Sequence, residues 1–169
     1  SIDQSLSNSN VLYCGTEPGE VYKSTNGGDN WSNVSLNDPL SGGVNSVKIH
    51  PSNSNIVLIG SGNFIYKTTD GGGTWSIVLS SVVRTNEIIF APSNPNLVYA
   101  ATNNGFYTSS DGGDNWVLAY PEETFDVKLN TLNDNIIYIV KHNNALNICE
   151  FLMSINSGLN FTVQSNGWY

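Results

Sequence analysis

The chain has 169 residues and a formal net charge of −8, with 39% hydrophobic and only 12% charged residues. This length suits a single domain with a core large enough to fold alone. Six basic against 14 acidic residues exclude the Lys and Arg clusters that nucleic acids or an anionic membrane surface require, and no apolar run approaches the roughly 20 residues of a membrane helix.

The composition predicts an all-β fold. Asn, Ser and Gly are abundant and favour turns, because they satisfy or permit turn backbones. Val, Ile, Tyr, Phe and Thr favour strands. In chain order, the first recurring feature is a polar turn that enters an apolar strand, at 6–13, 50–58, 91–99 and 130–138. A further apolar stretch precedes it at 44–49, 87–90 and 125–129, and in the first copy only residues 1–4 remain of it.

The second recurring feature is a strand, a tight turn and a strand, at 21–31, 65–75, 106–116 and 151–161. The aromatic residues that end these segments are 44, 41 and 45 residues apart. Each unit therefore contains four short strands, which we call A to D. Units of this length with four strands are typical of β-propeller blades.

We therefore predict one domain over 1–169, built of four four-stranded antiparallel blades at approximately 1–36, 44–80, 86–120 and 124–165. Two arrangements remain open, a closed four-bladed ring and a four-blade segment of a larger propeller. Cys14 lies on strand B of the first unit and Cys149 at the start of strand C of the fourth. A disulfide between them would indicate a closed ring, since its Cα atoms must lie within about 7 Å.

The turns resemble the Asp-box, or BNR repeat, with the pattern Ser/Thr-x-Asp-x-Gly-x-x-Trp. The likeness covers nearly the whole chain and is nearest to the sortilin-like, photosystem-assembly-factor-like and xyloglucanase-like branches, which share the "PSNPN" strand entry and the "KSTDGG" turn. It implies that the boxes are structural and lie at the blade periphery. The matching residues are Ser24, Asn26, Gly28, Trp31, Thr68, Asp70, Gly72, Trp75, Ser109, Asp111, Gly113, Trp116, Ser154, Asn156, Gly158 and Phe161.

The residue types of the box have a physical reason of their own. Asp or Asn accepts hydrogen bonds from the N–H groups ahead of it, and Gly takes a positive φ where the chain reverses. The Trp buries a large flat surface between neighbouring blades. Three positions depart from the pattern: Asn26 and Asn156 lack the charge, and Phe161 replaces Trp.

Alternate connections of an antiparallel blade share a face. The A–B and C–D turns form the Asp-box face, and the B–C and D–A connections form the opposite loop face, where propellers usually bind ligands. Loops on a rigid scaffold are the expected place for function. The candidate ligand-face residues are Glu17, Asp38, Arg84, Glu87, Asn103, Asn104, Tyr120, Glu122, Glu123 and His142.

No catalytic constellation is evident. A sialidase would need three arginines, and the chain has only Arg84. A xyloglucanase-like hydrolase needs two facing carboxylates, which no motif marks here and which that branch takes from two propellers. His50 and His142 fall on opposite faces, and no Asp spacing matches a calcium loop, so we expect neither metal nor cofactor.

Three functions remain open. The first is a non-catalytic, secreted or cell-surface recognition module that binds a protein or a glycan. The second is the propeller portion of a secreted xyloglucanase-like glycoside hydrolase. The third is a structural subunit of a larger extracellular assembly that associates through its blade edges. We expect no nucleic-acid partner and no membrane insertion.

Overall fold

The computed structural model describes residues 1–17, 19–35, 42–80, 82–143 and 145–168. Every element in that part of the chain is a strand, and the strands form four antiparallel sheets of four in chain order. The predicted all-β fold of four four-stranded blades is thereby confirmed. In the described part of the chain, no helix is long and apolar enough to cross a membrane.

The strands of blade 1 are β1 (Ile2–Gln4), β2 (Leu12–Gly15), β3 (Val21–Ser24) and β4 (Ser32–Asn33). Blade 2 contains β5 (Val44–His50), β6 (Asn53–Ser61), β7 (Phe64–Thr68) and β8 (Ser76–Ser80). Blade 3 contains β9 (Thr85–Phe90), β10 (Val98–Thr102), β11 (Gly105–Ser109) and β12 (Val117–Tyr120). Blade 4 contains β13 (Thr124–Asn130), β14 (Asn133–Asn143), β15 (Ile148–Ser154) and β16 (Thr162–Trp168).

The hydrophobic core is divided into three clusters, one between each pair of consecutive blades. Val21 of blade 1 and Val47 of blade 2 belong to the first cluster. Ile65 and Ile88 belong to the second, between blades 2 and 3. The third, between blades 3 and 4, includes Phe106 and several blade-4 residues. Blades 2 and 3 therefore each bury one face against the blade before and the other against the blade after, as strands with alternating side chains allow.

The innermost strands are also joined by hydrogen bonds from backbone to side chain. The N–H of Ile49 donates to Asp3 Oδ2 over 2.8 Å, and the N–H of Ile88 donates to Ser46 Oγ over 3.0 Å. In both pairs the donor belongs to the later blade. These bonds satisfy inner-strand N–H groups that no fifth strand can reach, and they fix the offset between neighbouring blades.

The blades form an open arc. Strands of blades 1 and 2, 2 and 3, and 3 and 4 pack on one another, whereas among the described residues no strand of blade 4 packs on blade 1 to a comparable extent. Cys14 and Cys149 are both free thiols. Free thiols alone do not decide between a closed four-bladed ring and a segment of a larger propeller. The packing corresponds to the second predicted arrangement, a four-blade propeller segment.

Candidate functional site

The Asp-box turns link strands C and D of all four blades and satisfy their own polar groups. In each, the motif hydroxyl accepts the N–H of the motif glycine, and the Asp or Asn accepts an N–H from four residues ahead. The first distance is 2.9 Å at Ser24, 3.0 Å at Thr68, 2.9 Å at Ser109 and 2.9 Å at Ser154. The second is 2.9 Å at Asn26, 2.9 Å at Asp70, 2.9 Å at Asp111 and 3.0 Å at Asn156.

These hydrogen bonds lower the pKa values of Asp70 and Asp111, the two box residues that carry a charge. The Thr74 N–H and hydroxyl, together with Thr68, lower the pKa of Asp70 from 3.8 to about 2. At Asp111 the N–H and side chain of Asn115, together with Ser109, lower the pKa further. A carboxylate that accepts several hydrogen bonds favours its ionised form. These Asp residues are occupied inside the turn, so their oxygens are engaged rather than offered to a ligand.

The box aromatics of blades 2, 3 and 4 pack on the core cluster shared with the preceding blade. Trp75 donates its indole N–H to the carbonyl of Val34 in blade 1 over 2.8 Å. Trp116 and Phe161 occupy the corresponding positions beside the second and third clusters. Trp31 of blade 1 has no preceding blade in the structure, and 38% of its surface is exposed.

Two opposite charges share a pocket on the loop face. Its volume is about 270 Å³, and it lies where the connections of blades 1, 2 and 3 meet. Neither Glu17 nor Arg84 forms an ion pair or a side-chain hydrogen bond with another described residue. The pocket therefore offers a carboxylate and a guanidinium together. Its lining is Glu17, Gly42, Gly43, Asn45, Gly62, Val83 and Arg84.

The glycines bring bare backbone to the wall of this pocket. A Cβ at Gly43 would lie 2.1 Å from Glu17 Oε1, so the Glu17 carboxylate lies directly against the glycine backbone. Gly42 has a φ of +124° and its Cβ position is 3.5 Å from the Gly62 Cα. Side chains at these positions would fill the space, which makes the glycines a condition for the pocket.

A strained turn precedes Arg84. The Arg84 N–H donates to the Val82 carbonyl over 2.7 Å, and Val83 between them has a φ of 63°. This is the γ-turn with positive φ, which is rare and unfavourable for a β-branched residue. Strained backbone of this kind concentrates at functional sites. The next blade holds the turn from the other side, because the Asn103 N–H donates to the Arg84 carbonyl over 3.0 Å.

Asn103 and Asn104 lie in the turn between β10 and β11 and stabilise it. Asn86 donates to Asn103 Oδ1 over 3.0 Å and to the Thr124 carbonyl over 2.8 Å, which links blade 3 to blade 4. Asn104 Oδ1 accepts the hydroxyl of Thr102 over 2.9 Å. Both asparagines therefore support the loop face beside the pocket and do not line it.

A second group of candidates gathers around a buried lysine at the seam of blades 3 and 4. Lys141 is only 3% exposed and forms ion pairs with Glu122 and, over 2.9 Å, with Glu150. Its Nζ lies 5.3 Å from the ring centroid of Tyr120. Asn143 also donates to Glu150, over 3.0 Å.

Lys141 and Glu150 of this cluster both favour their charged forms. Burial disfavours the Lys141 ammonium, but its bonds to Glu122 and Glu150 outweigh burial and hold its pKa above the ordinary range. Lys141 and Asn143 lower the pKa of Glu150. A glycosidase acid must instead retain its proton, which requires a raised pKa. The Glu150 carboxylate is consequently suited to hold the seam, not to donate a proton.

The remaining candidates occupy separate positions. Glu87 lies within β9 and not in a loop, and it bridges to Lys48 of blade 2 over 2.9 Å. His142 lies near the end of β14 rather than in the B–C loop, because that strand extends to Asn143; its N–H donates to the Glu123 carbonyl over 3.1 Å. Asp38 lies outside the described residues. Within those residues, no three His, Cys, Asp or Glu side chains come together as a metal site would require.

Sequence reasoning missed Lys141, Glu150 and Val83. Lys141 stands where the other blades carry Thr16, Ser61 and Thr102. This departure from the repeat was visible in the sequence and could have marked the position. The partners of Lys141 come from other strands and were not visible. The strain at Val83 has no sequence signal at all.

Four-stranded blades joined by Asp-box turns and stacked around an axis define the Asp-box class of β-propeller. A family model, Sortilin-Vps10, described as "Sortilin, neurotensin receptor 3", matches residues 19–162. The chain belongs to this family. Comparison with curated proteins finds no sequence relative.

Solved propellers share the fold at low sequence identity. An ancestral GH74 enzyme is 23% identical with a TM-score of 0.77, over 96% of this chain and 25% of its own. The GH74 enzyme of Niastella koreensis is 17% identical with a TM-score of 0.67, over 97% of this chain and 38% of its own. YCF48 bound to a D1 peptide is 15% identical with a TM-score of 0.61, over 99% and 66%. The chain thus spans a quarter to two thirds of the structures it resembles.

Proposed function

We propose that this propeller is a non-catalytic recognition module that binds an extended segment of a protein on its loop face. The observation that carries the proposal is the pair of opposite charges, Glu17 and Arg84, across one pocket, neither of which forms an ion pair with another described residue. An extended peptide presents backbone groups and side chains of both signs. The glycine backbone of Gly42, Gly43 and Gly62 lets such a chain approach closely.

The charges favour a protein over a neutral glycan. Sugar sites usually present aromatic platforms, and none of the described residues that line this pocket is aromatic. The fold match to YCF48, which is described as bound to a D1 peptide, also supports a peptide ligand. A glycan remains the alternative ligand of the recognition function and serves as an arm of the test.

The test is an array of synthetic peptides that alternate acidic and basic side chains, probed with the labelled chain beside a glycan array. We expect peptides of mixed charge to be captured, and Arg84→Ala and Glu17→Gln each to lower their affinity about tenfold, as loss of a charged contact usually does. The matched control is Lys128→Ala, which removes another exposed cation, on blade 4. Unchanged capture by both pocket variants, or capture of glycans alone, would refute the protein-binding proposal.

The GH74 fold match supports one other function, namely the propeller portion of a xyloglucanase-like hydrolase. Its test is the release of reducing ends from xyloglucan by this chain, with Glu122→Gln and Glu150→Gln as variants. Release that either variant abolishes would favour the hydrolase. We expect none, because both carboxylates are ion-paired with Lys141, and Lys141 lowers the pKa of Glu150.

We also propose an extracellular or cell-surface location. Support comes from the sortilin family match and from a surface whose polarity is largely uncharged, since only 12% of residues carry a charge. Limited proteolysis of intact producing cells, followed by detection of the chain, tests this location. A chain that is degraded only after cell lysis would contradict it.

A further inference from the structure

A β-bulge recurs at the start of the innermost strand in blades 2, 3 and 4. In β5 the pairing with the neighbouring strand passes from Val44 directly to Ser46, which leaves Asn45 as the extra residue. Asn86 of β9 and Phe125 of β13 are the extra residues at the same place in the next two blades. A bulge takes one residue out of the ladder and re-aims its side chain. All three bulges lie at the loop-face end of their strands.

Blade 3 shows how the fold uses the side chain at this bulge. The Asn86 amide donates to Asn103 Oδ1 over 3.0 Å and to the Thr124 carbonyl over 2.8 Å. Asn103 is the first residue of the two-residue turn between β10 and β11, and Thr124 is the first residue of the innermost strand of blade 4. The amide of the bulged residue therefore joins the turn of its own blade to the following blade.

Blade 2 lacks the side-chain acceptor that Asn103 provides in blade 3. The turn between β6 and β7 consists of Gly62 and Asn63, so a glycine stands at the position of Asn103. Asn45 is half-buried, and its side chain forms no hydrogen bond with another described residue. It lines the pocket together with Gly62 and Arg84. The bulge therefore supplies the pocket with a carboxamide that no described part of the fold uses.

We propose that the Asn45 carboxamide binds a peptide group of the ligand, an inference that rests on the proposed recognition of an extended peptide. A carboxamide has a carbonyl acceptor and an NH₂ donor, so it can accept an N–H from a peptide backbone and donate to a carbonyl of the same backbone. Such a contact does not depend on the side chains of the ligand. Asn45 therefore sets the affinity for peptides as a class, while Glu17 and Arg84 set the preference among peptide sequences.

The order of the blades also orders the charges of the ligand. Glu17 follows β2 of blade 1, Asn45 belongs to blade 2, and Arg84 immediately precedes β9 of blade 3. A peptide that crosses the pocket along the arc thus places a basic side chain at blade 1 and an acidic side chain at blade 3, with the peptide group bound by Asn45 between them. The pocket volume of about 270 Å³ is small for a ligand pocket, so the segment that it holds is short.

The first experiment measures the affinity of a captured mixed-charge peptide by fluorescence anisotropy and the thermal midpoint of each chain. We expect Asn45→Ala to lower the affinity about tenfold, because two hydrogen bonds are lost, and to leave the thermal midpoint unchanged. The matched control is Phe125→Ala, at the same bulge of blade 4, which should bind as the parent chain does. Asn86→Ala should instead lower the thermal midpoint. If Asn45→Ala bound as the parent chain does, the proposal would be wrong.

The second experiment replaces the backbone amides of the captured peptide by esters, one at a time, since an ester lacks the N–H. One ester should lower the affinity for the parent chain about fivefold and have no effect on Asn45→Ala, because the two groups are coupled only when both are present. Equal losses in both chains at every position would overturn the backbone contact. A parent chain that captures no peptide refutes the proposed function and this inference with it, whereas a loss of affinity in Arg84→Ala but not in Asn45→Ala refutes this inference alone.

Discussion

The Asp-box face and the loop face use polar side chains in opposite ways. At the Asp-box motif positions, the Ser or Thr hydroxyl and the Asp or Asn side chain are bonded within their own turn. On the loop face, polar groups connect different blades, as Asn86 does, or form no ion pair with any described residue, as is the case for Glu17 and Arg84. The comparison teaches that the repeated residues maintain the fold, while residues that differ from blade to blade are available for function.

The comparison also holds within the Asp-box face. Asn26 and Asn156 accept the same N–H at 2.9 and 3.0 Å as Asp70 and Asp111 do at 2.9 Å. The geometry of the turn therefore requires an acceptor and not a charge. What the charge adds is a dependence of stability on pH.

The largest effect should come from the Lys141 cluster on the loop face. Lys141→Met leaves the Glu150 carboxylate, which is 8% exposed, without its cation. Removing one partner of a buried ion pair costs about 3–5 kcal/mol. Urea unfolding should show this loss, while the control Lys128→Met, on an exposed pair of the same blade, should change stability by about 0.5 kcal/mol or less. An equal loss of stability in Lys141→Met and Lys128→Met would show that the buried ion pair at the seam contributes no more than the exposed pair.

A smaller loss of stability should distinguish alanine substitutions at two glycines that occupy the same position of the Asp-box, Gly113 and Gly28. A Cβ at Gly113 would lie 2.9 Å from Leu58 Cδ1 of the preceding blade, whereas at Gly28 the nearest atom is 3.9 Å away in Trp31. Both have positive φ, which costs about 1–2 kcal/mol with a side chain. Gly113→Ala adds overpacking of about 1–3 kcal/mol.

The measurement is thermal unfolding of Gly113→Ala and Gly28→Ala. We expect the Gly113 variant to be the less stable of the two. A Gly28 variant that is equally destabilised would show that the preceding blade does not restrict this position.

The smallest effect should be the acid sensitivity of the charged boxes. The pKa of Asp70 is lowered from 3.8 to about 2 in the folded chain, and that of Asp111 is lowered further. Their contribution to stability is therefore complete above about pH 4 and declines as the pH falls toward 2. Urea midpoints across this range should fall less steeply in the double variant Asp70→Asn, Asp111→Asn. If the urea midpoint fell equally steeply with pH in the parent chain and the double variant, the charges of Asp70 and Asp111 would not be the cause of the acid sensitivity.

Much of the fold could be predicted from the sequence, because the Asp-box repeats and their spacing are local patterns. Strands C and D follow from the box, and strand B follows from its polar entry turn. The open arc could not be predicted, because it depends on the angle between blades, which no single residue determines. Glu17 and Arg84 could be assigned to one face, but their common pocket depends on a turn at Val83 that no residue type announces.

The bonds between inner strands, such as that from Ile49 to Asp3, connect neighbouring blades. Stability in such an array is close to a sum over units and nearest-neighbour contacts. A gene for this chain can therefore gain or lose a whole blade by duplication or deletion without disturbing distant ones, and blade number becomes a heritable variable that is separate from the chemistry of the loops.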